Sequence, residues 1–303
     1  MGWVKGFVAG AATAATIVGG AAAQDPAAAA VPGVPWTQYL PALPSPAQNH
    51  PNRIAHCKRP AMKCVRVEIR RMRTKRDRLG CDHRAVFTTT YLELTKELRD
   101  RLRADRHLLH WKKFFFREDA LFADVYFRSL KRWEQGRPVP EAWRIAFETA
   151  RSGEVTGAQD MLLGINAHVQ NDMPFVLAQL GLRTRGGTPR KPDHDKVNDV
   201  LASGYDRVVD AVRERYDASM GLTNPPGVPA DDVAGLEMVR QWRENVWRNA
   251  ERLVNAKTDA ERARIAADIQ SYAADWARGI AAAPFPGVRA ERDQYCAQQL
   301  GGG

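Results

Sequence analysis

HRAVFTTTYLELTKELRDRLR, residues 83–103, brings an apolar side chain to Val86, Tyr91, Leu94, Leu98 and Leu102, close to the 3.6-residue period that lays one stripe along a helix. Asp82 stands just before it, where a short acceptor side chain can take up the free N–H groups of a first turn. The same period recurs downstream. Leu121, Val125, Leu130 and Trp133 fall on related faces of a segment from about Glu118 to Gln135, which stops at Gly136. Pro140 opens a shorter helix carrying Trp143, Ile145 and Phe147, because its missing N–H costs nothing in a first turn. The most apolar segment, residues 157–180, is expected to kink or break at Pro174. Pro192 and Asp193 open a fifth helix reaching about Tyr216, residues 231–256 form a sixth, and Thr258 with Glu261 makes a capping box for a seventh. Asn224-Pro225-Pro226-Gly227 makes a loop between the fifth and sixth. No stretch alternates as a strand for more than a few residues. The expected fold is therefore mainly α: a single antiparallel bundle of about six to eight helices over residues 81–300.

The N-terminus reads differently. Lys5 is followed by an apolar and small-residue run from Phe7 to Ala23 that ends Ala21-Ala22-Ala23, the pattern of a cleavable secretory signal over residues 1–23. The run is rich in Gly and Ala and short for a spanning helix, and no later stretch is apolar and long enough to cross a bilayer. Residues 24–52 carry Pro26, Pro32, Pro35, Pro41, Pro44, Pro46 and Pro51, too closely spaced for helix or sheet, and read as an extended Pro/Ala-rich linker. The expected location is outside the cytoplasm, secreted or in the cell envelope. Exported thiols tend to oxidise, so Cys57, Cys64, Cys81 and Cys296 are expected as two disulfides. Three pairings are possible. The favoured one joins Cys57 to Cys64 across a short loop and Cys81 to Cys296, tying the C-terminal tail to the start of the folded domain.

The chain carries a formal charge of +10, yet residues 53–78 hold eleven Lys and Arg against Glu68 and Asp77, and with Lys5 they account for all of it. The basicity is one local segment, residues 53–80, on an otherwise balanced protein. Such a patch attracts anionic polymer or lipid headgroups, or is simply a solvated helix face. Without interleaved aromatics it offers no platform for stacking bases, so no specific nucleic-acid recognition is expected.

Chemistry concentrates in Gly164-Ile165-Asn166-Ala167-His168-Val169-Gln170-Asn171-Asp172-Met173-Pro174. His168 and Asp172 are four apart and share a helix face, and Asn166 joins them inside an apolar segment where polar groups are costly unless paired. Imidazole with carboxylate suits a divalent metal such as zinc. The plainer alternative has His168 bonded to Asp172 and Asn166 capping backbone groups freed at Pro174. Asp82-His83 and Asp193-His194-Asp195 each begin a helix, and if those ends converge on His168 they supply His83 and His194 as further ligands, with Asp82 or Asp193 as orienter or base. Asp124, in an aromatic run, is a candidate further ligand or a partner of Arg84. His107 and His110, beside Trp111 and Phe114 to Phe116, suit an aromatic surface turn. No G-x-S-x-G, phosphate-binding Gly loop or H-E-x-x-H occurs.

The motifs Gly80-Cys81-Asp82-His83-Arg84-Ala85, Pro140-Glu141-Ala142-Trp143-Arg144, Gly164 to Pro174 and Asp193-His194-Asp195-Lys196-Val197-Asn198 resemble those of an uncharacterised, mainly actinobacterial family, a resemblance covering about residues 80–220 that implies no activity. The His-x-x-x-Asp on a helix is also weakly similar to the helical zinc-dependent phospholipase C and single-strand nuclease group, whose further histidines and N-terminal tryptophan are missing here. The resulting expectation is an exported, metal-dependent hydrolase of phosphoester or lipid-like substrates. Its alternatives are a non-enzymatic protein bound to anionic envelope polymer or lipid, and an enzyme using His168 and Asp172 as an acid/base pair without metal.

Overall fold

A computed structural model describes residues 54, 56–221, 230–283 and 289–301. The signal-like segment, the Pro/Ala-rich linker and the Asn224 to Gly227 loop lie outside the described residues. The chain is mainly α, as its periodicity implies, and disulfide-stapled. In order it forms α1 (Met62–Leu79), α2 (Arg84–Ala104), α3 (Lys112–Glu134), α4 (Glu141–Ser152), α5 (Gly157–Asn166), a π-helical segment (Ala167–Asp172), α6 (Met173–Leu180), α7 (Lys191–Ser203), α8 (Tyr205–Arg215), α9 (Ala230–Asn255), α10 (Asp259–Ala282) and α11 (Arg289–Gly301). An isolated bridge joins Arg183 and Pro189 in the loop before α7.

The stretch that sets the period lies at the centre. α2 is buried on every side from Ala85 to Glu93, packing against α1, α5 and α8. A helix buried all round must satisfy its polar side chains internally. Thr88, Thr90 and Thr95 each donate a hydroxyl to the carbonyl four residues back, at 3.0, 3.0 and 2.7 Å. The ring of Phe87 stacks edge-on against Tyr126 of α3 and Trp143 of α4. α5 crosses close above: a Cβ on Gly164 would fall 2.2 Å from Cγ of Phe87. Glycine is therefore required there for contact.

α5 starts with a full capping box, in which Thr156 accepts from the Gln159 N–H and the Gln159 side chain accepts from Thr156 N–H. It then widens into the π segment before α6. Pro174 has no N–H to offer Gln170, and its ring crowds that carbonyl. The ladder responds by lengthening, and Met173 N–H reaches back five residues to the His168 carbonyl. The interruption expected at Pro174 thus falls just before it.

The expected fifth helix is two, α7 and α8, joined at Gly204. A Cβ there would come within 3.1 Å of Glu97 and 3.2 Å of Leu94 on α2, so the glycine lets the joint pack against the central helix. The basic segment is no free appendage: Cys64, Val65, Glu68, Ile69 and Met72 of α1 are buried against the rest of the bundle. The disulfides join Cys57 to Cys64 and Cys81 to Cys296. The second fastens α11, helped by the fully buried Arg292, whose guanidinium donates to the Cys81 carbonyl at 2.7 Å. Among the described residues, no helix is long and apolar enough to cross a membrane.

Candidate functional site

Between α2, α3, α5 and the helices that follow lies a cavity of about 390 Å³, walled mostly by aliphatic side chains such as Leu94, Leu98, Leu162, Val200 and Val239. Volumes of this order hold small ligands. Its polar lining includes Tyr91, Glu118, Asp119, His168 and Arg243, each more than nine-tenths buried.

His168 and Asp172 meet as their spacing implies: His168 Nδ1 lies 3.1 Å from Asp172 Oδ2. The same carboxylate oxygen accepts from Trp143 Nε1 at 2.9 Å, and Oδ1 accepts from the Asn171 amide at 2.7 Å. An ionised carboxylate only accepts, so these bonds hold the proton of the neutral imidazole on Nδ1 and leave the Nε2 lone pair free. Burial lowers the affinity of His168 for a second proton, against the pull of Asp172. Phe122 stacks on the imidazole at a centroid distance of 3.4 Å and an interplanar angle of 6°, fixing its plane. Nε2 has no hydrogen-bond partner among the described residues.

Two more buried polar atoms on this cavity share that condition, the Tyr91 hydroxyl and Asp119 Oδ2. The Tyr91 ring lies 4.8 Å from that of His168 and 5.8 Å from that of Phe122. Burial pushes the Tyr91 hydroxyl well above its ordinary range, so it remains a neutral donor. Burial also lifts Asp119 to about 7, with Glu118 adding to the effect, and lifts Glu118 to about 7 against the opposing charge of Arg243. Buried polar groups are nearly always satisfied. Three unsatisfied ones on one apolar cavity mark a place for a molecule with a polar end.

The remaining sequence candidates do not join them. His83 is held between Asp160, 2.5 Å from Nδ1, and Asp293 of α11, 3.2 Å from Nε2. His194 donates Nε2–H to the Arg243 carbonyl at 3.1 Å and stands beside Trp247, with its protonation disfavoured by burial and by Arg243. The three histidines therefore occupy three separate surroundings. Among the described residues, no group of three or more His, Cys, Asp or Glu is placed to hold a metal ion. Asp82 accepts from the backbone N–H and guanidinium of Arg84. Asp193 accepts from the backbone N–H groups of His110 and Trp111 at 2.9 and 2.7 Å, tying down the turn before α3. Asp124 pairs with Arg71 and Arg128, whereas Arg84 turns to Asp82 and Glu134. Asn166, expected to cap the backbone near Pro174, instead donates to the Ala273 carbonyl of α10 at 2.8 Å and accepts from Gln170. Tyr91, Asp119 and Trp143 had no functional reading in the sequence. Their sequence context marks Tyr91 and Trp143 only as members of apolar helix faces, and nothing local marks Asp119.

On the molecular surface, Lys63, Arg66, Arg70 and Arg73 form an exposed stripe at helical spacing along α1. Their neighbours Arg71, Lys75 and Arg76 are engaged with carboxylates.

Over its described residues the protein is a helical bundle enclosing an apolar cavity, on whose wall His168 is paired with Asp172. The chain belongs to the family of unknown function DUF5995, which it matches over residues 65–283. No curated protein and no solved structure matches it.

Proposed function

We propose that the protein works outside the cytoplasm as a hydrolase of a lipid-like ester that it encloses in the cavity. His168 Nε2 takes a proton from water, and the resulting hydroxide oxygen bonds to the ester carbon. Tyr91 donates a hydrogen bond to the carbonyl oxygen as negative charge gathers there. When the carbon–oxygen bond to the alcohol breaks, the imidazolium returns its proton to the departing oxygen. Asp172 stabilises the imidazolium and keeps the reactive nitrogen turned to the cavity. The observation that carries this reading is His168 itself: it lines an apolar cavity, its Nδ1 is anchored, and its buried Nε2 has no hydrogen-bond partner among the described residues. No metal ion shared by His83, His168 and His194 takes part in these steps. The signal-like N-terminus and two disulfides support export.

Purified protein assayed on p-nitrophenyl acetate and p-nitrophenyl decanoate tests it. The expected result is preference for the longer acyl chain and a loss of about 10²-fold or more in His168→Gln with the circular dichroism spectrum unchanged. A wild-type rate no faster than buffer, or a His168→Gln rate equal to wild type, would overturn it.

A second reading rests on the exposed cationic stripe of α1: a surface that holds the protein to anionic envelope polymer or lipid. Vesicle sedimentation at low and high salt checks it. Association that salt weakens, and that is lost when Lys63, Arg66, Arg70 and Arg73 become Gln, supports this role. Undiminished binding by that variant counts against it.

A further inference from the structure

Of the three cavity-lining groups with an unsatisfied buried atom, the proposed hydrolysis uses His168 and Tyr91 and leaves Asp119 without a task. Its carboxyl stands one helical turn before Phe122, the ring stacked on His168. It is 7% exposed, and Oδ2 has no partner among the described residues. The charged groups around it are unevenly committed. Arg243 donates to the Asn198 side chain at 2.7 Å and to the His194 carbonyl, and its charge offsets Glu118. Arg71 of α1 is bonded to Glu68 at 2.9 Å. What acts on Asp119 is burial and the neighbouring carboxyl of Glu118; Glu68 of α1 and Tyr91 of α2 also feel it, and His168 and Asp172 stand across the Tyr91 and Phe122 rings.

A carboxyl buried without a cation is costly to ionise, and a cation brought to it turns that cost into attraction. A fatty carboxylate would instead meet like charge from Asp119 and Glu118. From this we infer that the cavity takes an amphiphile with an ammonium head, whose N–H groups bond Asp119 while its chain lies along the aliphatic wall. The inference rests on the cavity holding an amphiphile, as proposed above, and is independent of whether His168 hydrolyses it.

Isothermal titration of the full-length protein with decylamine, decanol and decanoate, at pH 6 and pH 8, for wild type and Asp119→Asn, tests this. At pH 8 decylamine is expected to bind about tenfold or more tightly than decanol, with decanoate weakest. Lowering the pH to 6, which protonates Asp119 but leaves the amine charged, should narrow the gap. In Asp119→Asn the amine preference should vanish while decanol still binds, which also shows the variant folded. Should that variant not bind decanol, the wild-type pH dependence decides. Decanol and decylamine binding alike, or decanoate binding best, would overturn the inference and leave the cavity reading intact. Binding of none of the three would overturn both.

Discussion

Three donors converge on Asp172, from Trp143, Asn171 and His168, and their combined effect is to decide which nitrogen of His168 carries the proton. Asparagine at this position would offer an N–H where the carboxylate offers only lone pairs, and the imidazole would have to present Nδ1 as acceptor. Asp172→Asn is therefore expected to slow ester hydrolysis by about 10²- to 10⁴-fold with the fold retained, measured as kcat/KM alongside thermal melting. A rate within about twofold of wild type would show that the tautomer is immaterial. Because burial holds the protonation of His168 below its usual 6.5, the rate should persist as pH falls through that value and decline only beneath it. This pair was legible in the sequence because four residues on a helix is a contact distance. Trp143, Tyr91 and Asp119 were not, since they reach the site from other helices and no local spacing encodes such approaches. For the same reason His83 and His194, each at a helix start beside an aspartate, looked equivalent to ligands until their partners on α5, α9 and α11 were known.

The π segment is where local sequence and long-range packing meet. Pro174 predicts an interruption from its own chemistry, but its form, a widened turn carrying both His168 and Asp172, depends on neighbours that hold it on both sides. One such constraint is the contact of Gly164 with Phe87. Gly164→Ala puts a methyl 2.2 Å from Cγ of a ring packed against Tyr126 and Trp143, so the ring cannot retreat freely. Overpacking of this kind costs about 1–3 kcal/mol, against about 1 kcal/mol gained by replacing glycine inside a helix. Urea denaturation should show a net loss of stability, partly recovered when Phe87→Leu is added; additive effects would mean the two residues do not compete for space. The α7–α8 joint teaches a similar lesson. The stretch from Pro192 to about Tyr216 reads as one helix because Gly204 within a helical pattern is only a mild breaker, and the close approach of Leu94 and Glu97 that makes it a joint is a property of the packing. The α2 stripe was legible as a helix, but its threonines concealed a burial on all sides that their backbone hydrogen bonds make affordable.

Across the whole molecule, ionisable groups are buried in unusual protonation states, and this sets how stability responds to pH. Burial raises Glu68 to about 8, Glu118 and Asp119 to about 7, and Asp160 to about 6. Glu68 is fully buried, with one oxygen 2.5 Å from His56 Nε2 and the other bonded to Arg71. Each of these carboxyls keeps in the folded state a proton that the unfolded chain has already released. Their contribution to stability is therefore complete at low pH and is lost as pH rises through the folded values. His168 and His194 act in the opposite sense: burial keeps them neutral when folded, so their contribution is complete above 6.5 and falls away in acid. Between pH 6.5 and 8 the histidine contributions gain only the small remainder left as the unfolded imidazoles finish losing their protons, while Glu68, Glu118 and Asp119 still titrate. Stability should therefore fall across that window, by on the order of 1–3 kcal/mol, with Glu68 the largest contributor. Denaturant titrations at intervals from pH 5 to 9 measure this directly. Glu68→Gln, which cannot ionise, should flatten the decline above pH 6.5 without altering the acid side. A wild-type stability that is constant or rises between pH 6.5 and 8 would mean that these carboxyls are ionised in the fold, each with a compensating partner.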